Sequence, residues 1–539
     1  MANANLAFQV DGKPKIPQLL IFAFQQVLAV LAATILVPTI IGLPVQIPAA
    51  ILGAGLGTLV YLLFTKFKSP VVISSSFAFL SALANAIAFG YLGIILGGLF
   101  AGLVYVIIAL VVKFAGTAWV EKLMPPVIIG PTVALIGLSL AVNATNDVVT
   151  ATADPVNGGY NLIALLCGLV TFFTVVIMSV QNKFKAGRLI PFILGILAGY
   201  AVASIFTVIG MVAKIDYFKI IDWSPIVNNF KSLGVESFVT YPRVSLVEGI
   251  KELIAGEPSK ATIEAFISNK SLASEVLGQI NSGLAEADQL ARVSDATRQQ
   301  LWDALVAIDK GTPSLITPMG VAEVALAFVP VAFVTFAEHI ADHKNLSTVI
   351  NRDLLKEPGL SRTLLGDGVG SMVGTVFGVC PNTTYGESVG CVAITKNASV
   401  RTIFVAALML IVLSFLSPLT AALRTIPNCV MGGVCLTLYG FIAVSGFKMF
   451  QKVDLNQSKN LFIVAAILIS GIGGLSLQIP YAFANNGAVT STITITSIAT
   501  ALILGIVTMV VCNAVEKRNA PEEEPAEDEE APAEEPVEE

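Results

Sequence analysis

Apolar stretches of membrane-spanning length recur along almost the whole chain, and this repetition constrains the fold more than any other feature. They lie near residues 17–40, 46–65, 70–88, 91–113, 124–143, 160–181, 189–212, 317–341, 362–379, 383–395, 401–421, 426–447, 460–479 and 488–514. A helix needs roughly 20 such residues to cross the hydrocarbon core. Lipid offers no partner to backbone N–H and C=O groups, so helices that satisfy their own are the economical solution. About fourteen runs, two of them short, therefore predict an all-α polytopic membrane protein. Charged residues make up only 13% of the chain, against roughly 25% in a soluble domain. The start, MANANLAFQVDGKPKIPQ, has neither the basic region nor the cleavage site of a signal peptide, so the first run is expected to remain as a span.

Basic residues accumulate in short cytoplasmic loops. With the N-terminus inside, twenty of the thirty-one Lys and Arg fall on the inner side, among them Lys66, Lys68, Lys183, Lys185, Arg188, Lys344, Lys396 and Lys448. Both termini are then cytoplasmic. The long polar stretch 213–316 falls outside, with helical patterns in 245–256, 262–284 and 294–311, and reads as a water-soluble helical cap. The net charge of −6 comes from the tail: the last twenty residues hold eleven acids and no base. Its Pro, Ala and Glu cannot bury a core, so 515–539 is expected to be disordered. The six cysteines sit in or beside apolar runs without metal-ligand spacing and read as small core residues. No GxxxxGK[ST] loop occurs, and the order Glu338-His339-Ile340-Ala341-Asp342-His343 is not that of HExxH. An ATP-driven pump, a zinc protease and a nucleic-acid partner are not expected, nor is a cofactor.

The stretch Cys380–Lys396, CPNTTYGESVGCVAITK, breaks one apolar run and opens another at Tyr385-Gly386-Glu387. It reads as unwound backbone feeding a half-helix, tolerated at membrane depth only where protein or a water-filled cavity covers it. The half-helix N-terminus points partly positive N–H groups into that cavity. Ile73–Phe79 lies seven spans earlier and also combines hydroxylated residues with a half-span. Met124–Gly130 (MPPVIIG) and Ile426–Gly432 (IPNCVMG) are likewise seven spans apart, an odd offset that inverts the second copy. Acids inside spans mark substrate or proton paths. Glu338 and Glu387 are the strongest candidates; for Glu338 a structural helix–helix hydrogen bond is the alternative. Asp342 and His343 read as a solvated helix end. Asp367, in GDGVGSMVG, has two open roles: a proton-path carboxylate or a cap on neighbouring backbone.

These residues resemble the nucleobase–ascorbate transporter family, whose signature Gln/Glu/Pro-Asn-x-Gly-x4-Thr-Arg/Lys/Gly is matched by Glu387 through Lys396, with Ser388 in the place of Asn. PNTTYGE, Ala337-Glu338-His339-Ile340, Ser75–Phe79 and LYGFIAVSG around Tyr439 carry the resemblance further, across nearly all spans. It implies a seven-plus-seven inverted repeat, with unwound stretches or short strands in spans 3 and 10. A core domain (17–123 and 317–421, spans 1–4 and 8–11) would move against a gate domain (124–212 and 422–514, spans 5–7 and 12–14). Residues 1–16 form a cytoplasmic N-terminus, 213–316 the extracellular insert and 515–539 the cytoplasmic tail.

The implied activity is import of a nucleobase by proton symport across the cell membrane, in a homodimer. Glu at 387 favours uracil; a xanthine or purine permease is the alternative, and an anion transporter of the same fold is disfavoured by two pocket acids. By position, Glu338 and Glu387 hold the base, Phe77 and Gly386 offer backbone groups, and Ala33, Tyr385 and Tyr439 line the pocket, with Glu338, Asp367 and Asp342 available to the proton. The family carries histidines where this chain has Gln26 and Asp342, and Ser388 is expected to widen the pocket or change selectivity.

Overall fold

The computed structural model describes residues 6–151, 160–181, 190–284, 289–290, 293–308, 310–451, 453–483 and 489–519. Most of the expected acidic tail lies outside these residues, as do Lys183, Lys185 and Arg188. Among the described residues, nine helical stretches are long and apolar enough to cross a membrane.

One group of helices comprises α1 (Ile16–Ile40), α2 (Ile47–Phe64), α3 (Leu80–Ala86) and α4 (Gly90–Ala115). A short α5 (Ala118–Leu123) leads to a second group: α6 (Pro126–Ser139), α7 (Ala141–Val148), α8 (Leu162–Val180) and α9 (Pro191–Ala213). The insert holds α10 (Ser224–Phe230), α11 (Ser245–Ala255), α12 (Lys260–Asn269), α13 (Ala273–Asn281) and α14 (Arg298–Ile308). Then come α15 (Pro318–Ile350), α16 (Leu360–Phe377), α17 (Gly386–Thr395), α18 (Val400–Ser414) and α19 (Ser417–Leu423), which return to the first group. The chain closes with α20 (Asn428–Phe450), α21 (Ser458–Ile472) and α22 (Ser497–Asn519). Helix α16 packs between α2 and α4, α15 lies on α4, and α18 packs on α1 and α2. Separately, α20 packs on α6, α7 and α8, while α21 and α22 pair and lie on α6. Helix α15 touches both groups, meeting α4 on one side and α6 and α22 on the other.

Glycines permit the close crossings in the first group. A Cβ at Gly53 would lie 2.7 Å from the Gly374 carbonyl oxygen, and one at Gly102 only 2.5 Å from that of Gly368. Backbones this close maximise dispersion contact where no hydrophobic effect drives helices together in lipid. This is the role of the glycine-rich run around Asp367.

Two short strands stand between helices in the first group. Strand β1 (Ile73–Ser75) pairs antiparallel with β2 (Asn382–Thr384), in the register Ile73 to Thr384, Ser74 to Thr383 and Ser75 to Asn382. The exposed backbone is satisfied from the surrounding helices: Asn382 Nδ2 donates to the Gly53 carbonyl at 2.8 Å and Thr58 Oγ1 bonds Ile73. The Thr34 and Ser74 hydroxyls share a hydrogen bond of 2.6 Å. Every hydroxylated residue of the two strands is buried, so irregular backbone stands where protein rather than lipid surrounds it.

Two expectations are corrected. The ends of the runs 460–479 and 488–514 are not helix: Leu477–Phe483 and Val489–Ile495 pair as antiparallel strands, β3 and β4. The period-two alternation of VTSTITI favours strand over helix. Asp342 and His343 are not at a solvated helix end: α15 runs on to Ile350, and both side chains are buried, Asp342 at 8% and His343 at 1% exposure. The insert places its helices in two settings. Helices α12, α13 and α14 enclose their own apolar core around Phe266, Val276 and Leu301, but α11 leaves its apolar side chains exposed.

Candidate substrate site

A cavity of about 410 Å³ lies where the two crossed strands hand over to α17 and to the 3₁₀ turn Phe77–Phe79. Ser76, Phe77 and Ala78 line one side, and Thr384, Tyr385, Gly386 and Glu387 another. Glu338 and Asp342 face it from α15; Val133 and Ile136 of α6 and Phe441 and Ile442 of α20 complete it from the second helix group. The cavity thus sits between the two groups. It extends past Asn345, Ile394 and Ser445 to Ser179 and Ile190, toward the side that carries Lys344, Lys396, Lys448 and the 182–189 connection.

The first N–H groups of a helix have no acceptor within it, and here two helical starts, Phe77 and Gly386, converge on one space. Glu387 stands in the first turn of α17, where the helix dipole favours negative charge. Asp342 is close by: a Cβ built on Gly386 would lie 3.7 Å from its Oδ1. Three carboxylates and a set of backbone donors therefore share one cavity, an arrangement suited to a planar ligand with alternating N–H and C=O groups.

The structure brings Glu338, Glu387, Phe77, Gly386, Tyr385 and Asp342 to the cavity. The other three predicted residues do not line it. Tyr439 is buried behind Phe77, edge to face at 5.4 Å, and Ala33 lies in the packed core. Asp367 is fully buried and bonds His339, Oδ2 to Nδ1 at 2.6 Å; His339 Nε2 reaches Thr363 Oγ1 at 3.0 Å. It thus ties α16 to α15. Tyr385 turns its hydroxyl away, donating to the Ser75 carbonyl at 3.2 Å, and so braces the strand crossing. Ser388 points out of the cavity. Its Oγ donates to Gln26 Oε1 at 2.9 Å and accepts from the Val72 N–H at 3.0 Å, so the expectation that it widens the pocket is not met. A helical start exposes alternate sides within each turn, and the residue after Glu387 faces α1.

Sequence reasoning missed a buried chain beneath the site. The Tyr61 hydroxyl bridges Ser69 at 2.7 Å and His343 Nε2 at 2.8 Å, while His343 Nδ1 donates to the His339 carbonyl at 2.8 Å. The two histidine rings stack at 4.0 Å. The i, i+4 spacing of the histidines was its only trace in the sequence.

A model of the Permease family (Xan_ur_permease) matches residues 17–240 and 309–479. The chain belongs to this family. The permease is a transporter rather than an enzyme. It is 33% identical over 489 residues to a uracil permease of Bacillus caldolyticus, covering 90% of this chain and 92% of that protein. A uracil permease of Bacillus subtilis is 32% identical, with 85% and 86% covered, and one of Escherichia coli 30%, with 88% and 89%. The fold is also that of a murine Solute Carrier 26 family member A9 anion transporter in the inward-facing state, at TM-score 0.53 and 10% identity, covering 94% of the permease and 69% of that chain. The stretch 241–308, which the family model does not match, holds α11 to α14.

Proposed function

We propose that this permease imports uracil by proton symport, with Glu338 and Glu387 accepting the N–H groups of the base and the backbone N–H groups at Phe77 and Gly386 donating to its carbonyls. The observation that carries the reading is the convergence of two helical starts and two carboxylates on one cavity. Uracil is planar and neutral and presents donors beside acceptors; leaving one such group unpaired on binding costs about 1–3 kcal/mol, which is how the site rejects bases of the wrong pattern. The relatives named as uracil permeases agree with this choice. The anion-transporter alternative is opposed by the acids that line the cavity.

The helix group of α1–α4 and α15–α19 acts as a core and that of α6–α9 and α20–α22 as a gate, in a seven-plus-seven inverted repeat. The cavity lies between them, as alternating access requires. With the basic loops inside and both termini cytoplasmic, the cavity opens inward, the side on which the base is released. Glu338 and Asp342 stand beside the base and are the groups through which a proton can travel with it; Asp367, bound to His339 one layer deeper, holds them in place.

Uptake of radiolabelled uracil into proteoliposomes, with and without an inward proton gradient, tests the proposal. Gradient-driven uptake abolished by Glu338→Gln is expected. Normal binding and transport in that variant refute the site, and accumulation of xanthine in place of uracil refutes the substrate.

A further inference from the structure

Helix α11 is amphipathic in the reverse sense to a surface helix of a soluble domain. Its buried positions are Ser245, Gly249 and Glu252, while Leu246, Val247, Ile250, Leu253 and Ile254 are exposed, Ile254 at 81%. At 100° per residue these five form one continuous apolar stripe of about 120°, turned away from the protein. The polar face is fully engaged. Ser245 Oγ donates to the Gly378 carbonyl, and Glu252 accepts from the Tyr91 N–H at 3.0 Å and the Ser259 N–H at 2.9 Å. Gly249 lies against Leu92, where a Cβ would stand 3.1 Å from the leucine side chain. The helix is thus clamped with its apolar side outward.

We propose that α11 is an interfacial helix that sinks this stripe into the outer leaflet, so that the insert is seated on the bilayer as well as on the helix bundle. The depth agrees. Helix α16 rises about 27 Å over its eighteen residues, close to the thickness of a hydrocarbon core of about 30 Å, and Gly378 follows its C-terminal end. Ser245 is bonded there. The other anchor, Tyr91, begins α4, along which Leu99, Leu103 and Ile107 are exposed apolar residues at i, i+4 and i+8. The flanking residues suit an interface. Tyr241 is 81% exposed just before the helix, and aromatic rings favour the headgroup level. Lys251, at the edge of the stripe, extends to Glu248 at 2.7 Å and can keep its charge among headgroups while its stem lies on apolar surface. Lipid therefore fits the stripe by depth and flanking chemistry.

The test uses the full chain in vesicles of phosphatidylethanolamine and phosphatidylglycerol. Nitroxide labels are placed one at a time at Val247→Cys and Ile254→Cys in a Cys512→Ser background, since the other five cysteines are buried. Collision with oxygen, which concentrates in lipid, is compared with collision with a water-soluble nickel chelate. Leu103→Cys on α4 and Asp303→Cys on α14 serve as the lipid and water references. Uracil uptake by the same vesicles reports folding. Oxygen collisions several-fold above nickel collisions at both sites, as at position 103, are expected. A nickel-dominated pattern like that at position 303 places the stripe in water, and labels shielded from both reagents place it against protein, such as a second copy of the chain. Either result overturns the proposal.

Discussion

Replacing Ser388 separates two adjacent residues that look equally functional in the sequence. Ser388→Ala deletes the acceptor of the Val72 N–H and the donor to Gln26 Oε1, both bonds lying in fully packed surroundings. A buried polar group left without a partner costs about 1–3 kcal/mol. Gln26 keeps its Nε2 bond to the Ser388 carbonyl and recovers part of its loss, so the sum is about 2–4 kcal/mol. That amount is a substantial part of the stability of an ordinary domain. The serine does not line the cavity, so uracil affinity is expected to change by less than about twofold, well under 1 kcal/mol. Unfolding of the purified permease by sodium dodecyl sulfate in mixed micelles measures the first quantity, and equilibrium binding of radiolabelled uracil the second. A large change in affinity or base preference with stability unaltered refutes the assignment of Ser388 to the helix contact.

Glu387→Gln, one residue earlier, is expected to do the opposite: stability holds while uracil binding weakens roughly 5- to 150-fold, the equivalent of about 1–3 kcal/mol, as read in the same binding assay. Asp367→Asn breaks the buried bond to His339 and is expected to destabilise by about 3 kcal/mol; combined with His339→Gln in a double-mutant cycle, the losses fall short of their sum. Gly102→Val drives a side chain into the Gly368 carbonyl, and the overpacking of α4 on α16 costs about 1–3 kcal/mol, measured as lost thermal stability in detergent. Glu252→Ala frees the Tyr91 and Ser259 N–H groups, and hydrogen exchange is expected to quicken across 245–270 while the strand crossing stays protected.

The interruptions were legible because chemistry interrupted a simple pattern. Pro381, Asn382 and two threonines cannot continue an apolar helix, and an acid directly after them is too costly at membrane depth without a purpose. The direction of each side chain was not legible. Ser388 and Glu387 belong to the same signature, yet rotation about a helix axis sends one to Gln26 and the other to the cavity. Tyr439 and Ala33 were assigned by position from the family resemblance, and a matching position does not say which residue forms the wall and which stands behind it.

The sequence by itself determined that the chain is a multi-pass membrane protein and that the stretches around Ser75 and Glu387 are broken, because apolar length and periodicity are local properties. Only the tertiary structure decided that these breaks pair as strands, that Asp342 and His343 are buried, that 477–483 and 489–495 pair as strands, and that the apolar side of α11 faces outward. Each of these depends on which surface a distant part of the chain covers. A polar side chain is a core residue where Gly378 and Tyr91 stand ready to bond it, and an apolar one is a surface residue where nothing but lipid is left to meet it.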